Sequence, residues 1–203
     1  MDRLSKYLEK NPKKALIFDF DGTLATIQVP WEVYAKEMVP AMEKLSKKHK
    51  RADFANTHYF ENAVVAEIGE EAAKKRWQIC EDFEVNELTG FIEHHEMTNF
   101  VRTHSENYAF VIWSSNARVT IEKTLKELDI FQHFSLLVTK TDVWMTKPNP
   151  EGFNLFIKQE LDTLLPGWEL EDVLMIGDSL SDSGAAKAVG MDFFQCTESA
   201  EED

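Results

Sequence analysis

"KALIFDFDGTLA", residues 14–25, runs from an unbroken apolar segment straight into two aspartates and a glycine. A short continuous apolar run of this kind has the pattern of a strand buried on both faces, as in a parallel sheet. Leaving such a strand through a turn needs one Asp or Gly. Asp19 and Asp21, followed by Gly22 and Thr23, bring two carboxylates two residues apart. The stretch reads either as a surface turn or as a phosphate and metal site, and the remainder of the chain decides between them.

The same apolar pattern recurs at "YAFVIWS" (residues 108–114), "FSLLVT" (134–139), "DVLMIGD" (172–178) and "MDFFQC" (191–196). Helical stretches lie between these runs. Residues 116–130 carry Val119, Ile121, Leu125 and Leu128 at helix-like spacing, residues 151–165 follow Pro150, and residues 180–190 close with Gly190. A shorter helix over residues 3–10 is stopped by Asn11 and Pro12. Strands alternating with helices predict an α/β fold: a Rossmann-like parallel five-stranded sheet in a three-layer α/β/α core. One stretch breaks the alternation. Residues 25–91 show only helical material, with Pro30 and Pro40 marking breaks or helix starts. An insert of roughly 65 residues is far too long for a crossover loop. The expected organisation is therefore a core domain of residues 1–24 and 92–203 with an all-helical cap subdomain of residues 25–91.

The 203 residues can bury a sizeable core, and 43% hydrophobic with 29% charged residues is ordinary for a soluble globular protein. A net charge of −14 argues against nucleic acid as a partner, which demands stripes of Lys and Arg. It is compatible with a small phosphorylated metabolite, because a bound divalent cation inverts the local field. The charged, amphipathic N-terminal segment reads as neither signal peptide nor membrane span. Cys80 and Cys196 form no CxxC and read as reduced thiols of a cytoplasmic protein. The acidic end, "TESAEED" (residues 197–203), reads as a frayed tail.

In open parallel sheets ligands bind beyond the carboxyl ends of the strands. Here those ends offer Asp19 and Asp21, then Ser114, Ser115 and Asn116, then Lys147 in "TKTDVWMTKPNP", then Asp178 and Asp182 in "GDSLSD". Clustered carboxylates repel one another and call for a cation. An all-oxygen donor set without His or Cys selects a hard ion, best Mg²⁺, whose shell Asp178 would complete with Asp182 bracing it. Asp19 is placed to attack phosphorus, and Asp21 to protonate the leaving oxygen and then activate water. Ser114, or its neighbour Ser115, and Lys147 would hold the non-transferred phosphate oxygens. Lys140 competes with Lys147 for that role.

This ordered set resembles the haloacid dehalogenase-like hydrolase superfamily, in its helical-cap branch of phosphoglycolate phosphatase- and β-phosphoglucomutase-like proteins. The DxDGT motif is matched by residues 19–23, the strand ending in Ser or Thr by "VIWSSN", the Lys-Pro motif by Lys147 and Pro148, and GDxxxD by Gly177, Asp178 and Asp182. Spacing to the following helix favours Ser114 over Ser115. The resemblance implies an Asp19 nucleophile that also binds Mg²⁺, an Asp21 acid/base that binds metal through its backbone carbonyl, Asp178 as the other main metal carboxylate, and a helical cap inserted after the first motif. It implies a Mg²⁺-dependent phosphatase acting on a small phosphomonoester through an aspartyl-phosphate. The alternatives are a phosphomutase with the same core motifs and a non-catalytic, phospho-ligand-binding regulatory module. A dehalogenase would need neither Asp21 nor Mg²⁺, and none of Lys36, Lys44, Lys74 and Lys75 stands out as the Schiff-base lysine of a phosphonate hydrolase. "HHEM" (residues 94–97) fails as HExxH because Asn99 replaces the second His. The basic run at residues 47–51 reads as a solvated face, and Trp31 and Trp77 as cap core.

Overall fold

Ala15, Leu16, Ile17 and Phe18 form β1 (Ala15–Phe18), fully buried along its length. The computed structural model describes residues 2–196, so the acidic tail read at residues 197–203 lies outside the described residues. β1 is the central strand of a five-stranded sheet with β4 (Ala109–Trp113), β5 (Phe134–Val138), β6 (Val173–Gly177) and β7 (Asp192–Gln195). Their order is β5-β4-β1-β6-β7 and every neighbouring pair is parallel. The five expected strands are thus the five observed.

Alternate residues of each strand feed opposite faces. Leu16, Phe18, Phe110, Ile112, Leu174 and Ile176 point into one apolar cluster, which is closed by α1 (Arg3–Lys10), α5 (His95–His104) and α6 (Arg118–Glu127). Ala15, Ile17, Val111, Trp113, Val173 and Met175 point into the other, closed by a helical stretch from residue 151 through α7 (Lys158–Leu164) and by α8 (Leu180–Val189). These are the three layers. α1 ends at Asn11, and Gly190 ends α8 in the left-handed conformation, φ 91°.

The long insert contains α2 (Trp31–Leu45), α3 (Thr57–Ile68) and α4 (Glu70–Glu87) around an apolar cluster of its own, including Met38, Met42, Phe60, Val64, Ile79 and Phe83. Two expectations need correction here. Pro30 does precede a helix, but α2 runs straight through Pro40. A proline there forfeits one helical hydrogen bond, and burial of Met38 and Met42 on either side offsets the loss. The insert is also not all helical. β2 (Ala25–Gln28) and β3 (Gly90–Glu93) pair antiparallel, Ala25 opposite Glu93 and Gln28 opposite Gly90, and together frame the helices. A boundary at residues 25 and 91 therefore cuts through this ribbon. β2 alternates buried and exposed residues, the signature of a half-buried strand. Four residues are too few for that alternation to stand out without sight of the partner strand.

Among the described residues no helix is long and apolar enough to cross a membrane. Because Leu16 is fully enclosed at the sheet centre, Leu16→Ala should cost about 2–5 kcal/mol. Urea unfolding should show this as a lower midpoint at unchanged slope.

Candidate active site

Sheet register places the strand ends together. Phe18 lies level with both Ile112 and Ile176, so the chain leaves β1, β4 and β6 along one edge. Asp19 is the first residue past β1, and its amide donates to Ile176 O at 2.8 Å. The turn that follows depends on Gly22, whose φ is 80°. A Cβ at this position would lie 2.9 Å from Asp178 Oδ1 and closer still to the rest of that carboxylate. The glycine therefore lets β1's exit loop and Asp178 approach each other. Asp21 leans the other way and accepts the Ile27 amide at 2.9 Å.

Lys147 joins the strand ends. Its ammonium lies 2.8 Å from Asp19 Oδ1 and 2.5 Å from Asp182 Oδ1, with all three side chains buried. The other Asp182 oxygen accepts from the Ser179 amide at 3.0 Å and hydroxyl at 2.6 Å, and Ser179 caps α8 in return. Carboxylate oxygens of Asp19, Asp178 and Asp182 all lie within 4.8 Å of one another. Burial and the Asp182 charge raise Asp19 to about 8 against the pull of Lys147. Burial, with Asp178 and Glu84 nearby, raises Asp21 to about 6 against the Ile27 hydrogen bond. Burial and Asp182 raise Asp178 as well. Lys147, although penalised by burial, is raised by Asp182 and Asp19. The protein alone thus leaves more negative charge here than one ammonium neutralises. Asp19 and Asp178 fit a hard cation such as Mg²⁺. Both Asp182 oxygens are committed, one to Lys147 and one to Ser179, which suits a brace rather than a direct ligand.

The two serines part company. Ser114 is buried, and its hydroxyl donates to Asn116 Oδ1 at 3.0 Å while accepting the Asn116 amide at 3.2 Å. Ser115 lines the cleft, and its Oγ has no hydrogen-bond partner among the described residues. The geometry therefore favours Ser115 where spacing favoured Ser114. Lys140, the rival to Lys147, donates to Tyr34 Oη at 2.8 Å and sits 3.3 Å from Glu61 Oε2, facing the insert.

The cleft holds about 540 Å³ between these strand ends and the insert. Trp31 and Tyr34 of α2 and His58 at the start of α3 line its far wall, so Trp31, read as cap core, is in part a cleft residue. Trp77 instead donates to Val143 O from the packed side of α4. His58 escaped the sequence reading. Its Nδ1 is shut from solvent without a hydrogen-bond partner among the described residues. Burial and the Lys140 charge push it down to about 4, so the ring is neutral. A single His beside polar helix residues carries no sequence signal of that kind. His94 and His95 stay outside the cleft, paired with Thr26 and Glu93, and the basic run at residues 47–51 does not line it.

A family model described as haloacid dehalogenase-like hydrolase matches residues 16–196. Phosphoglycolate phosphatases of Salmonella typhi and Salmonella paratyphi A are 30% identical over 107 residues, 53% of this chain and 40% of theirs. The chain thus aligns with well under half the length of these curated relatives. A haloacid dehalogenase-like protein from Bacteroides fragilis superposes with a TM-score of 0.61 at 20% identity, covering 93% of this chain and 91% of that one. A Bacillus subtilis relative whose structure holds magnesium gives 0.54 at 17% identity, covering 94% and 90%. A phosphatase from Thermococcus onnurineus gives 0.54 at 21%, covering 94% and 89%. Identities this low speak to the fold alone.

Removing one partner of a buried charge group strands the others. In EDTA, Lys147→Met should lower stability by about 3–5 kcal/mol, and adding Asp19→Asn should restore part of the loss. Equilibrium unfolding of the two variants checks this.

Proposed function

We propose that this chain, which belongs to the haloacid dehalogenase-like hydrolase family, is a Mg²⁺-dependent phosphatase that hydrolyses a small phosphomonoester through an aspartyl-phosphate. The observation that carries the reading is the meeting of Asp19, Lys147, Ser115 and Asp178 in one cleft. Asp19 and Asp178 would hold the cation, and Asp21 would contribute through its backbone carbonyl. Bound there, Mg²⁺ would neutralise the carboxylates and the charge on the transferring phosphoryl group.

In the first step an Asp19 carboxylate oxygen forms a bond to phosphorus while the ester P–O bond breaks. Asp21, whose raised pKa of about 6 leaves part of it protonated near neutrality, gives its proton to the departing alkoxide. In the second step Asp21 takes a proton from water, the hydroxide oxygen bonds to phosphorus, and Asp19 leaves as a carboxylate. Throughout, the Lys147 ammonium and the free Ser115 hydroxyl hold the equatorial phosphate oxygens where charge accumulates. Asp182 keeps Lys147 in place. The insert acts as a cap that excludes water, and its His58 and Trp31 meet the leaving group. The substrate of the partly matching relatives, phosphoglycolate, belongs in the first panel tried. Both cysteines are free thiols, which supports a reducing, cytoplasmic setting.

Hydrolysis of p-nitrophenyl phosphate should require Mg²⁺, vanish in EDTA and vanish in Asp19→Asn. Activity surviving either treatment would falsify the mechanism, and turnover of no phosphoester in a broad panel would favour a binding module.

The serine assignment has its own test. Ser115→Ala should lower kcat/KM by about 10²-fold, the usual scale for loss of one donor to a developing charge. Ser114→Ala should cost much less, and the reverse ranking would return the role to Ser114.

A further inference from the structure

Two loops supply the groups assigned above to the phosphate: residues 114–117 carry Ser115, and residues 143–147 lead into Lys147. Both are gripped by buried polar side chains of the insert. Arg76 of α4, fully enclosed, donates from Nη2 to Val143 O at 3.1 Å and Trp144 O at 2.8 Å. Its Nη1 donates to Asn62 Oδ1 at 3.2 Å. Asn62 of α3 is itself buried and clasps Thr146, the residue before Lys147. Its Nδ2 donates to Thr146 O at 2.7 Å, and its Oδ1 accepts the Thr146 amide at 3.0 Å and hydroxyl at 3.1 Å. Across the cleft, Glu84 of α4 accepts from Asn116 Nδ2 at 3.3 Å and from the Ala117 amide at 3.1 Å.

Packing alone does not account for these contacts. Arg76 forms no salt bridge among the described residues; its guanidinium donates to two carbonyls and an amide, while the buried Glu61 carboxylate acts on it from beyond contact distance. An apolar residue of similar volume would hold two surfaces together as well or better. What a planar guanidinium fork and a two-sided amide add is direction: they fix which carbonyl stands where. Asn62 engages both the amide and the carbonyl of Thr146, which sets the position of the backbone one residue before the ammonium that bridges Asp19 and Asp182.

We propose that Arg76 and Asn62 are positioning residues for Lys147, and Glu84 for Ser115, so that the phosphate site is complete only while the insert is docked on these two loops. The inference rests on the phosphatase reading for the roles of Lys147 and Ser115. The cap thereby does more than cover the cleft, because its docking and the assembly of the phosphate clamp are one event.

The test uses the full chain with Mg²⁺ and reads two quantities: the affinity for inorganic phosphate by calorimetry, and kcat and KM on p-nitrophenyl phosphate. Arg76→Met should weaken phosphate by the roughly 10–100-fold that loss of an orienting partner typically costs, and Arg76→Lys should recover part. Val64→Ala, in the insert's own apolar cluster, removes stability without touching either loop and should leave phosphate affinity unchanged. In a Lys147→Met background, Arg76→Met should cost little further, because coupled residues are not additive. Glu84→Gln should behave in the same way against Ser115→Ala. Wild-type phosphate affinity in Arg76→Met, or full additivity with Lys147→Met, would overturn the proposal. Phosphate binding without turnover would overturn the hydrolase reading alone, since the coupling is read on affinity. No phosphate binding by the wild type would overturn both.

Discussion

Like charges crowded at the end of a parallel sheet are the constraint around which this molecule is arranged. Asp19, Asp178 and Asp182 come within 4.8 Å of one another, with Asp19 and Asp182 buried and Asp178 half-buried, so that water screens them weakly. One ammonium, Lys147, bridges two of them, and the capping role of Asp182 ties the third strand end to α8. Burial of these groups without a cation is unfavourable, which is why Asp19 and Asp178 are both pushed upward. The arrangement persists because the sheet core beneath it is fully apolar and fixes the strand ends irrespective of the charges they bear. On the phosphatase reading proposed above, the same repulsion that costs stability is what would draw a divalent cation and, with it, a phosphate dianion.

The sheet was readable from sequence because its three inner strands, β1, β4 and β6, are buried on both faces and so appear as unbroken apolar runs, while the half-buried edge strands β5 and β7 still carry short apolar runs. Asp19, Asp21, Lys147 and Asp178 were readable because each follows such a run, or a loop after one, at a fixed offset. What could not be read depends on partners distant in the chain. β2 and β3 are four residues each, separated by the entire insert. The choice between Ser114 and Ser115 rests on side-chain hydrogen bonds, made by Ser114 to Asn116 and lacking at Ser115 among the described residues, which periodicity does not encode. His58, Arg76, Asn62 and Glu84 are polar residues in helices that otherwise look solvated. Only the docked core shows that they are buried, and that distinction is invisible in a pattern of hydrophobic spacing.

These missed residues explain a feature of the insert that its apolar cluster does not. Tyr34, Glu61 and Lys140 form one buried polar group where α2 and α3 meet the loop after β5. Arg76 and Asn62 form a second at the loop before Lys147, and Glu84 a third at the start of α6. Each group joins an insert helix to a core loop at the rim of the cleft, whereas the insert's apolar residues pack mainly on one another. Hydrophobic burial is non-directional and would hold the insert over the cleft in a range of orientations. Buried hydrogen bonds to named carbonyls and amides hold it in one, since an orientation that breaks them leaves desolvated charge unpaired. Folding of the insert and its aim toward the core thus rest on different forces. The aim can be altered by a single polar substitution that leaves the insert's own core untouched.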